Sequence, residues 1–414
     1  MIKKYLKEYL PASVLKTIKP VCSKFYKYGH FLRARKYPII QNPDKELEVV
    51  FQIKDETWED IYYPECYGHN KEMHLKVFGK AEYIFKETNA VVSTGSDAVI
   101  TSKGVYWSKF NQEEFVTWAK PSDINLAWFD RDNVALFKLK RKEYISGKVL
   151  SLLGDCAHHW AHCMFEFLPK LFSAGKAGLL NQEITILVVE NVDKQILEII
   201  KNYLKNFPKT RIRFVKKSTD CICEELYFMP IPGPSYADYK FRLDYVEFIP
   251  HYVLEDLKQY VIDPLIEKIK DNKPKYDKIF LPRNKAYTHT GRYLINYDEI
   301  HDFFKEQGYV DLEGSTMTLE EKADVFYHAK EVVGMYGSAL VNFMFCNQAK
   351  CLNLSNYKFV TETCIYILNR DYISKMITVT GQDDGSEYGS NFYIPLEKIK
   401  KVYKEYMMDN NDKG

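Results

Sequence analysis

The chain has 414 residues, of which 46% are apolar and 28% charged, and a formal charge of +2. Those values exclude a disordered chain, a collagen-like repeat and a disulfide-stapled miniprotein, and near-neutrality removes the general case for a dedicated nucleic-acid binder. A length beyond the roughly 250–300 residues that one core supports predicts two or three domains.

The charge is uneven. Residues 1–36 hold ten Lys/Arg against the single acid Glu8, a net +9 that leaves −7 on the remainder. Tyr5, Leu6, Tyr9, Leu10, Val14 and Leu15 sit near helical spacing in the same stretch, and Pro11 divides it into two short helices. A basic amphipathic segment of this kind suits an anionic membrane surface; the plain alternative is a solvated basic face over a small apolar seam. Charges interrupt any apolar run near the N-terminus, so it does not read as a signal peptide. No stretch reaches the roughly 18–20 apolar residues of a membrane span. Nine cysteines at irregular spacing predict free thiols and a reducing compartment.

Residues 45–150 alternate apolar and polar in short runs punctuated by Gly95, Gly104 and Pro121, the pattern of β-rich, antiparallel structure. From about 150 the pattern changes. A helix is expected over 157–174, a strand over Ile184–Val189, a helix over Val192–Phe207, and strands over Arg211–Val215 and Glu225–Met229. Pro230, Pro232, Gly233 and Pro234 mark a loop, and 250–272 reads as one long helix. A third zone opens with a strand over Lys278–Leu281. It continues with helices from Tyr297 to Gln307 and Leu319 to Ala329, a strand at Glu331–Met335, a helix over Gly337–Phe345 and a strand at Lys350–Leu354. A loop at Gly381–Gly389 and a helix near Pro395–Met408 end the chain. Strands alternating with helices of 10–15 residues predict parallel α/β layers. Thr318 with Glu321, and Asn296 with Glu299, have the form of capping boxes.

Three constellations could carry chemistry. The first is Cys156-Ala157-His158-His159-Trp160-Ala161-His162-Cys163 with Glu166. On a helix His158/His162, His159/Cys163 and His162/Glu166 are i,i+4 pairs. Zinc is one reading, although the HExxH and paired CxxC spacings are absent. The other is a His–carboxylate pair that fixes one imidazole tautomer for general-base work. The second constellation is Arg283 at a strand end, with Arg292 after it, which suits a phosphate. The third is the buried strand running through Gly334 and Tyr336 into Gly337, Ser338 and Asn342, where the start of a helix offers N–H groups to an anion.

In this order the three resemble glycosyltransferase family 61. The family's HW- or HF-containing segment ending in (D/E)xLPR corresponds to His162, Cys163, Glu166, Leu168, Pro169 and Lys170. Its strand ending in Ser-Arg, then RxxxNEDEL, corresponds to Pro282-Arg283 and Arg292 through Asn296 and Glu299. Its third block is matched by Ala329, Gly334, Gly337, Ala339, Leu340 and Asn342. The resemblance covers about residues 150–355. Lys170 stands where the family has Arg, Tyr336 where it has His, and Asn353 where a later strand carries Glu.

The resemblance implies an α/β, GT-B-like fold, with two Rossmann-like domains facing a cleft and a β-rich N-terminal portion. The expected division is a basic segment 1–40, an acceptor-side domain 41–272, a nucleotide-sugar domain 273–394 and a terminal helix and tail 395–414. It also implies an inverting transfer from a nucleotide sugar to a glycan hydroxyl without a required metal or other cofactor. His162 or Glu166, with Asp155 as a further candidate, would be the base. Arg283, Arg292, Asn296, Gly337, Ser338 and Asn342 would bind the donor. A competing reading takes Asp130-Arg131-Asp132 as the metal-holding DxD of a GT-A transferase, and a third is a non-catalytic carbohydrate-binding relative. A cytoplasmic enzyme peripheral to the inner face of the membrane, acting on a lipid-linked glycan in surface-polysaccharide assembly, is the expected setting.

Overall fold

The computed structural model describes residues 34–63, 65–69, 73–108, 125–130, 132–139, 141–232, 249–283, 293–356, 372–383 and 391–408. Residues 1–33 of the basic segment, Arg131, Gly233, Pro234, Arg292 and the 384–389 part of the expected loop lie outside them.

The N-terminal β-rich reading holds. β1 (Ala34–Pro38), β9 (Leu126–Phe129) and β10 (Asn133–Phe137) make a three-stranded antiparallel sheet in the order β1-β10-β9. β2 (Glu48–Lys54) pairs with β6 (Glu82–Ser93), and β3 (Thr57–Tyr63) pairs with β5 (Met73–Gly79). Lys54 stands opposite Glu82 and Thr57 opposite Gly79, so the two ladders run on as one long ribbon. Its tip carries β4 (Glu65–Cys66). β7 (Ala98–Ile100) and β8 (Val105–Trp107) extend the sheet beyond β6.

The antiparallel pattern stops at β11 (Arg141–Ser151), earlier than its sequence suggests. β11 is parallel to β12 (Ile184–Val189) and β14 (Thr219–Phe228), and β12 is parallel to β13 (Thr210–Val215). The order β13-β12-β11-β14 then continues antiparallel into β6. Val149, Leu150 and Ser151 are all buried, the mark of a strand covered on both faces rather than one. Apolar sequence therefore read correctly as strand but could not reveal its direction.

The second sheet has seven strands. β15 (Lys278–Leu281), β16 (Val310–Asp311), β17 (Glu331–Met335), β18 (Ala349–Asn356) and β19 (Ile373–Asp383) are parallel in the order β16-β15-β17-β18-β19. β20 (Phe392–Tyr393) closes it antiparallel. The ribbon tip joins this sheet as well, because β4 pairs parallel with β19, Glu65 opposite Ile377 and Cys66 opposite Thr378. β19 occupies part of the span expected to begin a loop at Gly381.

Several helices are less regular than their periodicity predicts. The first begins later than expected, as α1 (Trp160–His162), passes through a π turn at Cys163–Phe167, and continues as α2 (Leu168–Lys176). α3 (Lys194–Leu204) is capped by Asp193, which accepts from Gln195 N and Ile196 N. The expected 250–272 helix is α4 (His251–Leu257), a π turn at Lys258–Ile262 and α5 (Asp263–Ile269), whose second residue is Pro264. Proline lacks the N–H that an unbroken helix needs there. α6 (Tyr297–Glu306), α7 (Leu319–His328) and α8 (Leu396–Val402) flank the second sheet's strands in sequence. Gly337–Phe345 gives a 3₁₀ helix, Ser338–Phe345.

α2 is fixed to the first sheet's helical layer by aromatic packing. Phe172 is fully buried, with its ring 4.8 Å from Tyr203 on α3 and 5.1 Å from Tyr260 in the π turn before α5. Phe172→Ala is expected to cost about 3–5 kcal/mol, read as a lower urea midpoint.

Candidate active site

β11 is followed by Leu152-Leu153-Gly154-Asp155, and the chain there must turn sharply into α1. Gly154 makes this possible, since a Cβ on it would overlap Asp97 Oδ1 and the ring of Phe167. Asp155 N donates to Asp97 Oδ1 at 3.2 Å, and Cys156 takes a positive φ of 59°. His158 and His159 precede the helix and the His159 carbonyl accepts from Cys163 N at 2.9 Å, and among the described residues no side-chain hydrogen bond joins His158 to His162 or His159 to Cys163. Cys163 Sγ instead donates to Ala157 O at 3.2 Å, and burial pushes its thiol well up. Partial desolvation, then Lys217, lowers the pKa of His158. Desolvation, then His158 and His162, lowers that of His159.

The remaining i,i+4 pair does form. His162 Nδ1 lies 2.5 Å from Glu166 Oε1. The His162 side chain is 43% exposed and that of Glu166 only 12%, so a buried carboxylate backs an imidazole that reaches solvent. With Glu166 ionised, the proton sits on Nδ1 and the lone pair on Nε2, the arrangement of a base. Glu166 Oε2 is buried without a hydrogen-bond partner among the described residues.

The second sheet contributes cationic and backbone groups. Its strand order reverses between β15 and β17, and ligands of doubly wound sheets lie outside the carboxyl ends of strands at such a point. Arg283 leaves β15 there and its Nη1 donates to Tyr336 O, at the end of β17, at 2.8 Å. Gly337 follows, and a Cβ on it would come within 2.9 Å of Arg283 Nη1. Ser338 is exposed at the start of the 3₁₀ turn. Asn342 is buried, donating Nδ2 to Ala339 O at 2.9 Å, and its Oδ1 has no partner among the described residues.

Asn296 is placed otherwise. Its Nδ2 donates to Ile394 O and to Glu299 Oε2, both at 2.8 Å, and its Oδ1 accepts from Ile394 N. It therefore pins the segment after β20 and makes no side-chain cap on α6. The capping box at Thr318–Glu321 is present.

The two groups come together because α1 packs on the 3₁₀ helix Ser338–Phe345. Residues 160–352, which contain both, match the family model described as Glycosyltransferase 61. They form a glycosyltransferase family 61 domain. No curated protein matches the chain. As a glycosyltransferase it binds a sugar donor and an acceptor and transfers the sugar between them. The match begins at Trp160 and leaves the ribbon and the small antiparallel sheet outside it.

Positions that depart from the family pattern have plain structural surroundings in this glycosyltransferase. Lys170 is buried with Nζ 5.1 Å from the centroid of Phe167. Asn353 is fully buried in β18 and donates to Thr378 Oγ1 on β19 at 3.3 Å. The Tyr336 ring is buried. Asp130 belongs to the β9–β10 turn, where its Oδ1 accepts from Asp132 N, Asn133 N and Asn133 Nδ2. Desolvation, the largest single effect on Asp130, raises its pKa, but those bonds together with Lys36 outweigh it and lower the pKa overall; they give the Asp130/Asp132 pair the geometry of a hairpin turn. Among the described residues, no group of three or more His, Cys, Asp or Glu side chains is arranged to hold a metal ion.

Gly337→Ala is expected to push the guanidinium of Arg283 off the Tyr336 carbonyl. A charge-assisted hydrogen bond of this kind is worth about 1.5–3 kcal/mol, and the loss should appear as a lower thermal midpoint.

Proposed function

We propose that this glycosyltransferase is an inverting enzyme with a GT-B arrangement, using a nucleotide-activated sugar and a glycan hydroxyl as acceptor. The observation that carries the reading is the His162–Glu166 pair, held on a helix that packs against the turn following Gly337.

His162 Nε2 takes the proton of the acceptor hydroxyl as its oxygen attacks the anomeric carbon. Glu166 stabilises the imidazolium that results. The bond between that carbon and the diphosphate oxygen breaks on the opposite side, so one displacement inverts the centre. The nucleoside diphosphate departs with its negative charge matched by Arg283, Arg292 and the N–H groups after Gly337. That set supplies the charge neutralisation without a metal. Asn342 lines the same turn, while the hydrogen bonds of Asn296 favour a supporting role.

Purified enzyme is to be assayed for nucleotide release from UDP-, GDP-, CMP- and dTDP-sugars, with and without EDTA. Turnover of one donor resistant to EDTA is expected; EDTA-sensitive release would replace the metal-free scheme. His162→Ala should lower kcat about 10²–10⁴-fold and Glu166→Gln should lower it in the same direction. Wild-type rates in both would remove the base. Arg283→Ala should weaken nucleotide binding by about tenfold or more, and unchanged affinity would take Arg283 out of the donor site.

The basic segment 1–36 supports a peripheral position on an anionic membrane, at its cytoplasmic face, with a lipid-linked glycan of surface-polysaccharide assembly as acceptor. None of the described helices is long and apolar enough to cross a membrane. Deleting residues 1–36 should abolish co-sedimentation with anionic liposomes; retained binding would place the contact elsewhere.

A further inference from the structure

Lys322 lies on the inward face of α7 and is only 3% exposed. Among the described residues, no carboxylate lies within ion-pair distance of it. The acid that acts on it through space is Asp193, whose carboxylate already caps α3. Lys322 Nζ donates to Gln195 Oε1 on α3. Gln195 Nε2 in turn donates to Met317 O at 2.6 Å and Gly314 O at 3.3 Å, in the segment leading into α7. The ammonium then lies 3.8 Å from the centroid of the Trp160 ring.

A lysine buried without a counter-ion is costly, and an apolar side chain of similar length would fill the same stripe without that penalty. Desolvation draws its pKa down to about 8, which still leaves it a cation at neutral pH. The indole face is the best aromatic partner for a cation, and the attraction strengthens when water is excluded. Trp160, Ala161 and His162 form a single helical turn. Fixing the ring of Trp160 therefore fixes the backbone that carries His162.

We propose that Lys322 is a positioning residue for sugar transfer: reaching from the second sheet's helical layer, its ammonium clamps Trp160 and so holds His162 against the donor-binding turn. The proposal rests on His162 as the base. It makes one side chain responsible for the register between acceptor activation and donor binding.

The test is hydrogen exchange on the full chain carrying Lys322→Met. Amides of 157–167 are expected to exchange about tenfold faster or more, while β11 and β12 keep their protection and the thermal midpoint does not fall. Unchanged exchange at 157–167, or a loss spread evenly over both sheets, overturns the proposal. Should that variant not fold, Trp160→Leu reads the contact from the other side, with faster exchange expected at 313–323 and unchanged exchange overturning it. With a donor that turns over in the panel above, Lys322→Met should lower kcat about tenfold with nucleotide affinity within about twofold, and Lys322→Arg should recover part of the loss. A loss of affinity with kcat intact overturns it. The two readings fail separately. Wild-type turnover in His162→Ala removes the base and leaves the clamp, whereas unchanged exchange in Lys322→Met removes the clamp and leaves the base.

Discussion

The reversal of strand order between β15 and β17 is the constraint on which the candidate site depends. The next strand in sequence after β15 pairs on one side of it, and β17 pairs on the other. Their carboxyl ends are therefore left side by side with no connection running between them. Arg283 enters that gap from one strand and the Tyr336 carbonyl closes it from the other. The guanidinium can lie there because Gly337 has no side chain to displace it. The first sheet presents a comparable place, the end of β11, where Gly154 lets the chain turn beneath Phe167. The proposed base and the proposed anion-binding turn thus sit at places set by the same rule of parallel sheets, applied twice.

What could be read from the sequence followed from local chemistry. Short apolar runs such as Ile184–Val189 and Glu331–Met335 became strands, and Thr318 formed its capping box because both partners lie within one turn. The His162–Glu166 pair was legible for the same reason. Failures came where distant parts of the chain decide. Asn296 resembles a helix cap, but Ile394, remote in sequence, offers both an N–H and a carbonyl to its amide. β19 was missed because Met376 packs into one apolar core and Ile377 into another, which erases the alternation of a half-buried strand. Lys322 did leave a signal: it interrupts the buried stripe of Leu319, Ala323 and Phe326 on α7. A charge in such a stripe asks for a partner, but only the fold reveals that the partner is Trp160.

The two sheets are joined by more than their shared core. The ribbon that grows from β2 and β6 carries β4 to the edge of β19, where Tyr67 N donates to Thr378 O at 2.9 Å and Tyr406 OH donates to Glu65 Oε1 at 2.9 Å. His251 N, at the start of α4, donates to Glu59 Oε2 partway along it. A segment outside the matched domain thus reaches the sheet that contains Arg283.

This connection has a consequence for the order of assembly. Glu65 meets Ile377, about three hundred residues later in the chain. During synthesis the ribbon emerges before β19, and its docking strand must wait until the intervening residues have followed, because contacts of such separation close late. The first sheet can condense from its own strands, but β19 in the second is joined by a strand made about three hundred residues earlier. Closure of the ribbon therefore waits on the synthesis of β19, and a chain stopped before β19 would leave β4 without its partner strand.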